Sequence, residues 1–223
     1  MHNTDPAALS AALDRVLGLI DDDRPGPPTT EAAALRVRFP RDAEAARLHG
    51  IALLQLGRPD AARAALDDAR RLAPQSIEVL CNLGSALLAG GDAAAAVATL
   101  EQARALSPAH PAALNGLGNA LRAAGDDAGA RDAYAHATRA SPQHVGAWFN
   151  LAAARLALGE YAAGERDARH ALALAPGHPQ GLLLLGHILA AQRRHAEAEA
   201  AYAAGLRAAP GDARFPYQCG RRV

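Results

Sequence analysis

The sequence has no lysine, few aromatic residues and no net charge, and these absences argue against several classes of protein. Its 23 acidic residues balance 23 basic ones, all of them arginine, and only 4% of residues are Phe, Trp or Tyr. A neutral chain with few rings lacks the overall attraction that binding to nucleic acid or to an anionic membrane usually needs. We therefore expect neither as a partner.

Cysteine, long apolar runs and catalytic motifs are also scarce. Cys81 and Cys219 stand far apart without ligand-spaced neighbours, so neither a disulfide framework nor a zinc knuckle is expected. No apolar run approaches the roughly 18 residues of a membrane helix, and the amino terminus does not look like a secretion signal. No phosphate-binding loop, metalloprotease motif or nucleophile motif occurs. We expect a cytoplasmic protein that is not an enzyme and has no cofactor, metal or catalytic residue.

The sequence is instead rich in alanine and has a repeat period of 34 residues. Half of its residues are hydrophobic, and most of these are alanine, the strongest helix former. Small residues recur at one point of the period and prolines at another: Gly50, Gly84, Gly118, Ala152 and Gly186, and Pro74, Pro108, Pro142, Pro176 and Pro210. This period predicts a stacked array of helix-turn-helix units.

Cutting the chain at this period gives five repeats, 43–76, 77–110, 111–144, 145–178 and 179–212. Each repeat is interrupted near its middle, as at Gly90-Gly91-Asp92, by the Gly-then-acid pattern of a helix end followed by a helix start. Small residues at positions eight, twenty and twenty-seven of each repeat allow the facing helices to approach closely.

This pattern resembles the tetratricopeptide repeat family. The second repeat carries its motif as Leu80, Leu83-Gly84, Ala96, Ala103 and Pro108. The resemblance implies an all-α fold, a right-handed superhelical solenoid of helix-turn-helix repeats. The chain departs from the family pattern in the first, fourth and fifth repeats, where we expect local packing to deviate, at His49, Arg155, Gly164, Gly205 and Arg193.

The resemblance also implies a concave groove lined by the first helix of each repeat. Its candidate partner-binding residues are Arg47, Asn82, Ser85, Asn115, Asn119, Arg122, Phe149, Asn150, Leu183 and His187. A strip rich in amides suits the backbone of an extended peptide. Equally, the asparagines could belong to the repeat consensus and bridge neighbouring helices.

Two ligand sites known in this family are only partly matched. In the carboxylate clamp of chaperone cofactors, Asn119 and Asn150 match, but Asn115 replaces a lysine and Leu183-Leu184 supply no positive charge. We therefore do not expect an acidic chaperone tail as the ligand. The asparagine ladder of O-linked N-acetylglucosamine transferases is matched at Asn82 and Asn150 and broken in the other repeats.

The two ends of the chain are interpreted as partial repeats. Residues 1–42 are predicted to form a degenerate capping helix pair, and residues 213–223 the truncated start of a sixth repeat. The chain could be a fragment of a larger protein, could self-associate through this end, or could be covered adequately by the short segment. The apolar stripe available for self-association is Ala198, Ala201, Tyr202 and Leu206.

Three histidines one period apart, His110, His144 and His178, invite a metal hypothesis. Equivalent residues of successive repeats lie roughly 10 Å apart, much too far to share one zinc ion. We predict a structural role for them at the turn before each first helix.

Our first functional hypothesis is a non-catalytic scaffold that binds a peptide or protein segment in the groove. The alternative is the substrate-recruiting part of a larger bacterial enzyme, a sulfotransferase, glycosyltransferase or oxygenase, whose catalytic domain lies outside this sequence.

Overall fold

A computed structural model describes Ala11, Ala12, Arg15 and residues 27–210. The predicted segment 213–223, with Cys219, lies outside the described residues, as does most of the first predicted capping helix. All regular structure from 27 to 210 is helical, which confirms the predicted all-α class. The helices are α1 (Pro27–Arg38), α2 (Ala43–Gln55), α3 (Pro59–Leu72), α4 (Ile77–Ala89), α5 (Ala93–Leu106), α6 (Pro111–Ala123), α7 (Asp127–Ala140), α8 (Val145–Ala157), α9 (Tyr161–Leu174), α10 (Pro179–Ala191) and α11 (His195–Ala208).

The chain divides into two compact units, residues 1–108 and 109–223. In the first unit, α2 packs on α3 and α4 on α5, and α1 packs on α2. In the second unit, α6 packs on α7, α8 on α9 and α10 on α11. Each of these five pairs is a helical hairpin, and we call its members the first and second helix of a repeat.

One residue caps the N-terminus of every first helix. In the first unit, the side chains of Asp42 and Ser76 accept a hydrogen bond from the backbone N–H three residues later, at 2.7 and 3.3 Å. In the second unit, Nδ1 of His110, His144 and His178 accepts the equivalent bond at 3.3, 2.9 and 3.2 Å. Because these bonds satisfy N–H groups that have no partner inside the helix, the three histidines have the structural role predicted for them.

The turn inside each hairpin requires one residue in the left-handed region. Glycine fills it in four repeats, at Gly57, Gly91, Gly125 and Gly159, with φ between 66° and 86°. In the fifth repeat Arg193 fills it with φ 61°, although a side chain is unfavourable there. The turn geometry is kept in spite of this departure from the family pattern.

The core of each hairpin is set by a pair of residues at positions eight and twenty-four. A Cβ added to Gly118 would lie 2.5 Å from Cε1 of Tyr134, and one added to Gly84 would lie 2.6 Å from Cγ of Leu100. Gly50 faces Leu66 and Gly186 faces Tyr202 in the same way. In the fourth repeat both partners are alanine, Ala152 and Ala168, and both are fully buried. A large side chain is thus present only where its partner is glycine.

The core of the fourth repeat accommodates a residue that departs from the family pattern. Arg155, at a position that is usually apolar, is half buried and donates from Nη1 to Oδ2 of Asp167 at 2.5 Å. Its Nε lies 3.6 Å from Oε2 of Glu160. The expected deviation in packing therefore takes the form of a partly buried ion pair.

Candidate functional site

The residues predicted to bind a partner come from both units, and each unit is described separately. In the first unit, Arg47 is tied to its own helix, since its Nε donates to Oε2 of Glu44 at 2.7 Å. The hydroxyl of Ser85 is exposed and donates back to the carbonyl of Cys81 at 3.1 Å. Asn82 is half buried, and its Nδ2 atom is buried without a hydrogen-bond partner. These side chains do not form a connected group.

In the second unit, three predicted asparagines form what we call the amide cluster, Asn115, Asn119 and Asn150. Nδ2 of Asn150, on α8, lies 3.0 Å from Oδ1 of Asn115 and 3.5 Å from Oδ1 of Asn119, both on α6. All three side chains are half buried. Because Asn150 points between two residues one turn apart on the neighbouring first helix, the cluster joins the third and fourth repeats.

A buried tyrosine contacts this cluster from the core of its hairpin. The hydroxyl of Tyr134, on α7, donates to Oδ1 of Asn119 at 2.7 Å, and the Tyr134 side chain is fully buried. Burial raises the pKa of Tyr134, and the nearby Arg122 opposes that shift without reversing it. The hydroxyl therefore stays protonated and acts as a donor, which fixes Asn119 with its oxygen toward the core.

The amide cluster retains unused hydrogen-bonding groups. Among the described residues, no partner contacts Nδ2 of Asn115, Nδ2 of Asn119 or Oδ1 of Asn150. The internal bonds orient these groups by occupying the opposite end of each amide. Two donors and one acceptor are the complement of a peptide backbone, which offers carbonyl oxygens and N–H groups in alternation.

Phe149 forms one wall beside the amide cluster and is held in place by the fifth repeat. A Cβ added to Gly181 would lie 2.3 Å from Cζ of Phe149, so the ring rests directly on the backbone of α10. The ring also packs against that of His178, with centroids 4.8 Å apart and the ring planes tilted by 37°. Phe149 is half buried and fixed, which makes it a rigid apolar surface rather than a freely moving aromatic group.

The remaining predicted residues of the second unit differ in exposure. Leu183 is half buried on α10. His187 is exposed, and its ring lies edge-on to that of Tyr202 at 5.7 Å. Arg122 is exposed at the end of α6.

A second polar cluster in this unit was not predicted from the sequence. Glu165, on α9, is buried and accepts hydrogen bonds from Nη1 of Arg194 at 2.7 Å and from Nε2 of Gln192 at 2.7 Å. Burial alone would raise the pKa of Glu165, but these bonds outweigh it and hold the pKa below its ordinary value. Burial raises the pKa of Asp167, two residues away, and Arg155 only partly offsets this. Nothing in the repeat pattern marks these charged residues as buried.

The stripe predicted for self-association is largely used inside its own hairpin. Ala198 and Ala201 are 3% and 8% exposed and pack with Leu189. Tyr202 and Leu206 are half buried. Self-association through this stripe stays a prediction, and Tyr202 and Leu206 are the side chains with surface left to contribute to it.

Neither a metal site nor a membrane-spanning helix occurs among the described residues. No group of three His, Cys, Asp or Glu side chains in 27–210 is arranged to hold a metal ion. None of the helices in that range is both long enough and apolar enough to cross a membrane.

Hairpins of similar length that recur along the chain, each with a small residue facing a core side chain, define the class of helical repeat proteins. Residues 81–145 and 149–213 match a family model described as tetratricopeptide repeat, and residues 43–86 match a second model of the same description. The chain belongs to the tetratricopeptide repeat family. This also confirms the predicted solenoid class. No curated protein sequence matches the chain significantly.

Three solved structures with the same fold cover between 82% and 94% of the chain. PilW, described as a widely conserved type IV pilus biogenesis factor, has a TM-score of 0.84 at 17% identity, over 93% of this chain and 96% of PilW. PilF of Pseudomonas aeruginosa has a TM-score of 0.79 at 16% identity, over 94% of this chain and 96% of PilF. YrrB, described as a protein of this family with an unusual peptide-binding site, has a TM-score of 0.63 at 15% identity, over 82% of this chain and 95% of YrrB. At these identities the similarity establishes the fold alone.

Proposed function

We propose that this protein is a non-catalytic scaffold that binds an extended peptide segment of another protein through the amide cluster of its second unit. Membership of the tetratricopeptide repeat family supports a protein-binding role. The observation that carries the finer assignment is the set of bonds joining Asn115, Asn119 and Asn150, which leaves oriented donors and an acceptor unused. YrrB, a protein with this fold, is described as having a peptide-binding site of its own.

In this proposal the peptide backbone pairs with the free amide groups while Phe149 and Leu183 line the adjacent space. An asparagine side chain can donate to a backbone carbonyl and accept from a backbone N–H at once, so recognition is independent of the peptide's side chains at those points. Preorganisation by Tyr134 lowers the entropic cost of binding, because Asn119 does not need to be ordered by the ligand.

The test is selection of binders from a random peptide library by the purified protein, followed by affinity measurement with Asn115→Ala/Asn150→Ala. This double variant loses the bond between Asn150 and Asn115 and the longer one from Asn150 to Asn119, whereas Asn119→Ala would strip the buried Tyr134 hydroxyl of its acceptor. We expect the double variant to bind the selected peptides at least about tenfold more weakly, since it loses two hydrogen-bonding groups.

The matched control is Gln102→Ala, which removes an exposed amide from a second helix of the first unit. It should leave the affinity unchanged, and all variants should keep the thermal unfolding curve of the parent. Unchanged affinity in the double variant would rule out the amide cluster as the binding site. The cytoplasmic location and the alternative role as part of a larger enzyme stay predictions.

A further inference from the structure

The first helices of the two units differ in the chemistry of the side chain that caps them. In the second unit, Nδ1 of His110, His144 and His178 accepts the backbone N–H three residues later. In the first unit, oxygen atoms of Asp42 and Ser76 accept the same bond. Histidine changes its charge between about pH 5 and about pH 8, so every first helix of the second unit begins at a group that can gain a proton near neutral pH.

Protonation of such an imidazole removes the cap. A nitrogen atom that accepts a hydrogen bond must carry no hydrogen, and both ring nitrogens of a protonated histidine are donors. The ring would also place a positive charge at the positive end of the helix dipole, where a cation is unfavourable. Gain of a proton therefore breaks one hydrogen bond and adds one repulsive charge at the start of α6, α8 or α10.

The helix starts of the second unit contain no acidic residue that would offset this charge. The first turns of α6, α8 and α10 have no Asp or Glu, whereas α2 and α4 carry Glu44 and Glu78 there. The turns that precede the three helices, 107–110, 141–144 and 175–178, contain no charged residue besides the histidines themselves. The side chain recorded against His178 is the uncharged ring of Phe149.

The second helices of this unit present basic groups toward the same end. Each hairpin is antiparallel, so the second half of its second helix lies beside the start of its first helix. All carboxylates of α7, α9 and α11 fall in the first halves of those helices. The charged residues and histidines of the second halves are His136, Arg139, Arg169, His170 and Arg207. A protonated cap therefore meets like charges and no carboxylate.

We propose that the three histidine caps make the second unit a pH-sensitive element, in which α6, α8 and α10 lose their caps together as the pH falls from about 8 to about 5.5. The folded unit keeps these imidazoles deprotonated to hold the caps, whereas the unfolded chain does not. The unfolded state therefore binds more protons, and the stability of the second unit falls with pH. The hydroxyl of Ser76 and the carboxylate of Asp42 need no such deprotonated ring, so the caps of the first unit persist.

The test is urea unfolding of the full-length protein at about pH 8 and about pH 5.5, followed by the fluorescence of Trp148, the single tryptophan, which lies in the second unit. The parent is compared with His110→Asn/His144→Asn/His178→Asn, because asparagine caps a helix well and does not titrate. Loss of one cap changes the unfolding equilibrium constant by about fivefold. We expect that constant to rise at least about tenfold more in the parent than in the variant over this pH step.

The matched control is His136→Asn/His187→Asn/His195→Asn, which removes three exposed imidazoles that cap no helix. It should keep the pH response of the parent. Glu165 and Asp167 are present in all three proteins, so their own pH effects cancel in the comparison. If the parent and the variant without histidine caps respond equally to pH, the proposal is wrong.

A measurement on the unsubstituted protein gives a second test. The amide proton resonances of Ala113, Ala147 and Gly181 should each shift as the capping imidazole gains a proton, since each N–H then loses its acceptor. Amides that stay unshifted while the three imidazoles titrate would overturn the proposal. His49, whose pKa is lowered chiefly by burial, titrates in the first unit and should leave these three resonances unchanged.

Discussion

The hydroxyl of Tyr134 donates to Oδ1 of Asn119 at 2.7 Å, so a fully buried core residue holds a side chain of the candidate site. The core of the third repeat and the proposed binding surface are therefore joined by a hydrogen bond. Substitutions of Tyr134 should therefore change the free energy of unfolding and the peptide affinity to different extents, depending on whether the hydroxyl or the whole ring is removed.

Tyr134→Phe removes the hydroxyl and keeps the ring. We expect a loss of about 1 kcal/mol in the free energy of unfolding, because Asn119 loses its buried donor. We also expect weaker binding of the selected peptides, because Asn119 is then free to rotate its amide. Urea unfolding followed by the fluorescence of Trp148, the single tryptophan, measures the first effect in the same unit. A variant with normal peptide affinity would show that Tyr134 does not preorganise the site.

Gly118→Ala should lower the free energy of unfolding by about 2 kcal/mol, since the added methyl group would lie 2.5 Å from the Tyr134 ring. Combining it with Tyr134→Ala reproduces the alanine pair of the fourth repeat, Ala152 and Ala168. The double variant should be more stable than the sum of the single effects predicts, because the clash is absent once the ring is removed. Strictly additive effects of the two substitutions on the free energy of unfolding would contradict the size pairing of Gly118 with Tyr134.

Arg193→Gly should stabilise the fifth repeat by about 1 kcal/mol, because a side chain in the left-handed region is unfavourable and glycine is not. The larger backbone entropy of glycine in the unfolded chain offsets part of this gain. Arg193→Ala is the control, since it removes the same side chain and keeps the backbone strain. Chemical denaturation should therefore show a gain for glycine and none for alanine.

His144→Ala should lower the free energy of unfolding by about 1 kcal/mol through loss of the bond from the Ala147 N–H to Nδ1. His144→Asp should restore that stability, since a carboxylate accepts the same bond and interacts favourably with the N-terminus of a helix. Exposed His136, on α7, provides the control for loss of an imidazole. If His136→Ala and His144→Ala are equally destabilising, the cap contributes nothing.

Glu165 and Asp167 should give opposite pH dependences of stability. The folded pKa of Glu165 is lowered, so its contribution is present above the ordinary pKa of glutamate and is lost as pH falls. The folded pKa of Asp167 is raised, so its contribution is present at low pH and is lost as pH rises through that raised value.

Unfolding free energies of the parent, Glu165→Gln and Asp167→Asn, measured between about pH 4 and about pH 7, test both signs. The stability advantage of the parent over Glu165→Gln should shrink toward acid, and its advantage over Asp167→Asn should shrink toward neutral pH. If the two stability differences change with pH in the same direction, the assigned direction of the pKa shift is wrong for either Glu165 or Asp167.

The repeat pattern predicts the fold class because stacking constrains the sequence every 34 residues. Glycine or alanine at position eight, proline at thirty-two and the cap at thirty-four each meet a steric or hydrogen-bonding need of the backbone. The asparagines were predicted either to bind a partner in the groove or to bridge neighbouring helices, and Asn150 does bridge α8 to Asn115 and Asn119 on α6. Which oxygen and nitrogen atoms pair depends on side-chain geometry that spacing does not carry.

The parts that the sequence did not predict depend on pairs of residues far apart in the chain. Arg194 lies 29 residues from Glu165, and neither position has a charge requirement in the family motif. Arg155 looked like a disturbance because its partner Asp167 could not be recognised as buried from a single sequence. Tyr134 lies in the core, and its hydroxyl also holds Asn119 of the candidate site, a role that its repeat position does not indicate.

The complementary sizes at positions eight and twenty-four also bear on how such an array can be rearranged. Joining the first helix of the fourth repeat to the second helix of the third would set the methyl group of Ala152 against the ring of Tyr134. That methyl would occupy the place where a Cβ at Gly118 meets the ring. A crossover inside a hairpin therefore disrupts the core when it gives the first helix of the fourth repeat the second helix of another repeat, whereas a crossover between hairpins keeps every matched pair together.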